Sequence, residues 1–138
     1  MFLAIRMRCG YLTLLICLLV GLSACAPDLQ PGQLDGMDGP VCDFDRLTVS
    51  MRVRNEGAAA GASVASVRFA HSGAEVRVET PSIGAKSTVA IGVPIPRPIP
   101  SPNELAFDIA VDVDNAVVEN NESNNTASGG DCTPGLEP

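Results

Sequence analysis

The sequence predicts an all-β domain, a two-sheet antiparallel β-sandwich of about seven short strands. Three observations predict it. Between residues 47 and 113, apolar residues recur at every second position in several short runs. Clusters of Asn, Gly, Ser and Pro separate those runs at short intervals. No segment of the region carries the apolar stripe of an amphipathic helix.

The runs follow in order. Leu47, Val49, Met51 and Val53 alternate with Thr48, Ser50, Arg52 and Arg54, which is a half-buried strand. Asn55-Glu56-Gly57 supplies a turn, because Asn and Gly tolerate positive φ. Ala65, Val67 and Phe69 continue as a second strand, closed by Ser72-Gly73. Val76 and Val78 make a third, and Val89, Ile91 and Val93 a fourth. Proline then occupies every second position from Pro94 to Pro102. In an extended chain the missing N–H donors would all lie on one edge, so this segment pairs on one side and refuses a partner on the other. Leu105, Phe107, Ile109, Val111 and Val113 form the strongest strand, and Val117-Val118 is a short further candidate. Thr126 to Gly130 is too poor in apolar residues to predict a final strand.

Residues 1–24 have the form of an export signal, with Arg6 and Arg8 before an apolar run from Tyr11 to Val20. That run is shorter than the ~20 residues that span a bilayer. Leu22-Ser23-Ala24-Cys25 follows directly and resembles the lipobox of bacterial lipoproteins. The resemblance implies cleavage before Cys25 and a lipid on its sulfur, so the membrane is the first expected partner. Ala26 in place of an Asp favours the outer membrane in a Gram-negative cell under the same resemblance. Residues 25–41 then read as the lipidated Cys and a flexible, Pro- and Gly-broken tether, of about 20–24 Å average span.

Cys42 and Cys132 bracket the domain predicted for residues 42–132, with a short tail at 133–138. In an exported protein they are candidates for a disulfide, with free thiols as the alternative. With His71 the lone histidine, a Cys/His zinc site lacks ligands. Closing so long a loop contributes about 4–5 kcal/mol in the chain-entropy model. That matters for a core with only Phe44, Phe69 and Phe107 as aromatics.

Charge excludes some partners. The chain has 9 basic and 16 acidic residues and a net charge of −7; without Arg6 and Arg8 it carries −9. Nucleic acid and polybasic lipid contacts both require clustered Lys and Arg. No nucleophile elbow, zinc-protease motif or Cys–His pair points to catalysis.

The stretch Asp112–Asn125 is dense in Asp, Asn and Glu. Two readings apply. Such side chains bond nearby backbone and stabilise irregular turns. Alternatively Asp112, Asp114, Asn115, Glu119, Asn121 and Glu122 offer the oxygens that calcium takes, with no other cofactor expected. The pattern Val53-x-Asn55-x-Gly57, followed by Asp112, Asp114, Asn115, Val117, Glu119, Asn121, Glu122, Asn124 and Asn125, resembles the cell-adhesion-related domain found in bacteria (CARDB). The resemblance covers roughly residues 45 to 127. It implies an immunoglobulin-like sandwich on exported or surface proteins, with no catalytic residues to carry over. The expected function is a lipid-anchored, non-catalytic binding or adhesion module of the cell envelope, acting on a protein partner. An accessory subunit of an envelope complex is the alternative.

Overall fold

The computed structural model describes residues 26–35 and 38–132. The predicted export signal at 1–24, the predicted lipid-bearing Cys25 and the tail 133–138 lie outside the described residues. Among the described residues, eight strands form two four-stranded sheets: β1 (Leu29–Pro31), β2 (Val41–Asp43), β3 (Thr48–Asn55), β4 (Ser63–Phe69), β5 (Glu75–Thr80), β6 (Ser87–Pro94), β7 (Ala106–Ala110) and β8 (Thr126–Asp131). The first sheet centres on β3, which pairs with β6 along one edge. Its other edge is shared by β2, opposite residues 48–50, and β1, opposite residues 53–55. The second sheet runs β5-β4-β7-β8. All pairs are antiparallel, so the predicted all-β sandwich is the observed fold.

The core is what the alternation dictates. Val49, Met51 and Val53 of β3, and Ala65, Val67 and Phe69 of β4, point inward and are buried. Ile91 and Val93 of β6 and Phe107 and Ile109 of β7 close the space between the sheets. Phe69 lies opposite Phe107 in the ladder, with ring centroids 6.0 Å apart and tilted. Each such ring contributes about 1.5–3 kcal/mol by leaving water. Cys42 and Cys132 are joined in a disulfide at the end of the sandwich that carries β2 and the end of β8.

Four expectations are corrected. Residues 26–41 are not a free tether, because Leu29–Pro31 is a strand and Leu29 is fully buried. Thr126–Asp131 is a strand, although it offers only Ala127 and a buried Gly130 to the interior. An added Cβ on Gly130 would stand 2.4 Å from the Phe107 ring, so that ring covers the bare backbone. Val117-Val118 forms no strand, since Val117 is buried in a loop and Val118 is 84% exposed. The proline-rich segment pairs only as far as Ile95, whose N–H donates to the Leu47 carbonyl (2.8 Å); a bend follows at Arg97-Pro98.

Candidate functional site

The acidic stretch begins where β7 ends. Asp112 takes a left-handed backbone (φ 47°), as does Asn115 (φ 48°), a conformation that short polar side chains tolerate best. Asp112 is buried, and its two carboxylate oxygens accept the N–H groups of Ala116 (2.9 Å) and Val117 (3.1 Å). Its carbonyl accepts the Asn115 N–H (2.9 Å). The chain is thereby wound into a tight turn that returns as β8.

Glu119 sits at the centre. One carboxylate oxygen accepts the backbone N–H of Leu29, and the other accepts the Asn125 amide (3.1 Å). Glu122 accepts the Glu119 N–H (3.1 Å) and the same Asn125 amide (3.2 Å). Burial pushes the Glu119 carboxyl above its ordinary range, and the Glu122 and Asp112 charges add to this. The Leu29 N–H and the Asn125 amide pull it back down.

Around this centre the turn grips the N-terminal segment. The Asn120 N–H donates to the Pro27 carbonyl (2.9 Å), and its side-chain amide donates to the Ala26 carbonyl (3.2 Å). The Asn124 amide donates to the Asp28 carboxylate (2.8 Å). From the other sheet, the Ala58 N–H donates to the Ala26 carbonyl (3.0 Å) and the Glu56 N–H to the Asp28 carbonyl (2.9 Å). Asn55 is the hub on that side. Its oxygen accepts the N–H groups of Asp28 (3.1 Å) and Gly57 (3.0 Å), and its amide donates to the carbonyls of Ala58 (2.6 Å) and Gly84 (3.0 Å). Asn55 is 1% exposed and makes every bond its amide can form, which removes the cost of burying it.

Of the six residues read as possible calcium ligands, three converge. Asp112, Glu119 and Glu122 each place a carboxylate oxygen within 4.8 Å of the others. Asp114 turns away to pair with Arg77, and both side chains are half exposed, so the pair is worth at most about 1 kcal/mol. Asn121 accepts the Ser123 N–H (3.1 Å) and hydroxyl (2.6 Å) at the surface. Asn115 is exposed and serves the turn through its backbone. Where the three carboxylates meet, the Asn125 amide stands as the neutral bridge between Glu119 and Glu122. The Asn125 side-chain oxygen is buried and has no partner among the described residues.

Asn120, the bridging role of Asn125 and the role of Asn55 as a buried hub, where the sequence read only a turn residue and a motif position, were missed from sequence. One signal existed for Asn55. It continues the inward parity of Val49, Met51 and Val53, and a polar residue at a core-facing position must be hydrogen-bonded.

The CARDB family model matches residues 26–129, which takes in this turn and everything it grips. The chain belongs to the CARDB family. Among solved structures this CARDB chain is similar to a domain of a proposed cell surface protein from Methanosarcina acetivorans. They share 22% identity over 78% of this chain and 93% of the other, with a TM-score of 0.58. It is also similar to a CARDB domain from Pyrococcus furiosus, solved in complex with di-metal ions. That likeness is 20% identity over 78% and 90% of the two chains, with a TM-score of 0.48. At 22% identity the first of these likenesses shows a shared fold alone. No curated protein matches the chain.

Proposed function

We propose that this CARDB domain is the exported part of a lipid-anchored, non-catalytic envelope protein that binds or adheres through protein–protein contact. The observation that carries the reading is the Cys42–Cys132 disulfide, a bond that persists in oxidising compartments outside the cytosol. Leu22-Ser23-Ala24-Cys25 supports the lipid anchor, and Ala26 favours the outer membrane in a Gram-negative cell. The acidic turn supports a scaffolding role for its carboxylates, since each already accepts hydrogen bonds from its own chain. A groove of about 540 Å³ lies between Gly32, Gln33 and Asp38 and strands β3 and β6, with Arg52 and Arg54 in its lining. It offers a partner a charged surface. The test is the intact mass of the protein taken from its own membranes, with and without reductant. An N-terminus at Cys25 carrying acyl mass is expected. Cross-linking on those membranes then separates the two functional readings: one stoichiometric partner marks an accessory subunit, and several mark an adhesin. An unmodified or uncleaved chain removes the anchor.

A calcium ion held by Asp112, Glu119 and Glu122 is a second reading. Their converging oxygens and the unpartnered Asn125 oxygen favour it. Calcium would displace the Asn125 amide and raise the thermal midpoint over a chelated sample; equal midpoints remove the reading.

A further inference from the structure

Residues 26–28 are each hydrogen-bonded to more distant parts of the chain, and the segment adjoins Cys25. Its carbonyls and amides are held from both sheets: Ala26 by Ala58 and Asn120, Pro27 by Asn120, and Asp28 by Asn55 and Glu56. There is no slack in this grip. A Cβ on Gly57 would come within 2.1 Å of the Ala26 carbonyl oxygen. One peptide bond separates Ala26 from Cys25, so their Cα atoms are about 3.8 Å apart. A lipid on Cys25 therefore has no tether between it and the folded domain.

We propose that the domain sits directly on the lipid headgroups in one fixed orientation, with the end formed by Glu56–Ala58, Lys86 and Val117–Asn120 against the membrane. This deepens the reading of Cys25 as the lipid-bearing residue and rests on it. Two further observations favour a lipid surface at this end. Val118, 84% exposed, is the most exposed large apolar side chain among the described residues, and it lies two residues from Asn120, which grips Ala26. Lys86 stands at the same end, its ammonium donating to the Glu56 carbonyl and its N–H to the Gly57 carbonyl (3.2 Å). An exposed aliphatic side chain and a lysine at one end of the domain suit the phosphate-lined interface of a zwitterionic bilayer. The far end carries the disulfide, the β4–β5 turn and the proline-rich segment. It stands one β3 strand length away, about 25 Å at ~3.3 Å per residue. That end is what a partner approaching from the aqueous side meets first.

The sequence supplies a clean probe, because it has no Trp and its one Tyr, Tyr11, precedes Cys25. The full chain is produced with its leader as Val118→Trp or as Ile99→Trp, its acyl mass is checked, and it is placed in phosphatidylcholine vesicles containing brominated lipid. The tryptophan at 118 is expected to be quenched at least about threefold more than that at 99 and to emit further to the blue. A long Gly-Ser insert between Cys25 and Ala26 is expected to bring the tryptophan at 118 down to the level of 99. Equal, weak quenching of both probes on acyl-bearing protein overturns the orientation and leaves the anchor standing. Undiminished quenching with the insert also overturns it, because the membrane contact would then owe nothing to the docked segment. Absence of acyl mass overturns the anchor and the orientation together.

Discussion

Two short segments poor in apolar residues complete the sandwich, and they are held by opposite means. Strand β1 brings one core side chain, Leu29, and is otherwise gripped by polar groups: Glu119 on its N–H, with Asn55, Asn120 and Asn124 on the residues just before it. Strand β8 brings no large apolar side chain at all. It is kept by a covalent bond at Cys132 and by the Phe107 ring lying on Gly130. The difference teaches that a strand need not carry its own reason for being ordered. Neighbours can supply acceptors, or a cross-link and a ring. The two means also answer to different conditions. The grip on β1 responds to protonation of one buried carboxylate, and the hold on β8 responds to reduction.

The comparison breaks first at the disulfide. Replacing both Cys42 and Cys132 by Ser should cost about 2–4 kcal/mol in denaturant unfolding. Amide exchange should quicken in β8 well before β1; equal loosening of the two strands would show that they are not independently held. Next is Gly57→Val, which forces side-chain atoms onto the Ala26 and Pro27 backbone and should cost about 2–3 kcal/mol. Here exchange should quicken at Leu29 and leave β8 unchanged. Glu119→Ala leaves the buried Leu29 N–H without its acceptor, a loss of about 1–3 kcal/mol. Asn120→Ala removes one exposed amide bond and should stay under about 1 kcal/mol.

The pH dependence sharpens the contrast further. Glu119 is held above its ordinary value near 4.5, so the folded chain keeps its proton more tightly than the unfolded chain. Its contribution to stability is complete below that ordinary value and is lost as pH rises through the raised one. Asp43, Glu75 and Glu104 run the other way. Hydrogen bonds from Arg46, Ser66 and Ser101 respectively hold them low, so their contributions exist above the ordinary values and fade as pH falls through the lowered ones. All three are at the surface, where solvent screens the effect. Glu119→Gln should flatten the decline in stability above about pH 4.5 and leave the acid limb alone. An unchanged slope between acid and neutral pH would mean that Glu119 is not the titrating group.

Where burial alone orders a strand, the pattern was readable. Val49, Met51 and Val53, then Ala65, Val67 and Phe69, declare their faces by alternation, and each proved to be core. The bracketing cysteines were readable because they stand at the two ends of one small domain, which must lie near each other to pair. What escaped reading depends on contacts distant in sequence. Nothing in Leu29-Gln30-Pro31 announces that Glu119 will accept its N–H from 90 positions away. Nothing in Gly129-Gly130 announces an aromatic ring above it. The predicted strand through Val113 stops at Ala110 because the buried Asp112 adopts a left-handed backbone to bond Ala116 and Val117. Alternation of types cannot reveal that. The acidic turn was recognisable as a turn, and its principal client, the N-terminal segment, was not.

The position of the disulfide also decides how the molecule bears load. A pull between Ala26 and Cys132 has a covalent route that leaves the chain at Cys42, crosses to Cys132 and bypasses the intervening loop of sequence separation 90. Only residues 26–42 can be drawn out, to roughly 60 Å at ~3.4 Å per residue. Once they are drawn out, the rest of the sandwich, with both Phe rings, lies outside the line of force. Under tension β1 and β2 peel from β3 while the second sheet stays whole, so the domain yields a short length of slack and keeps its far surface folded.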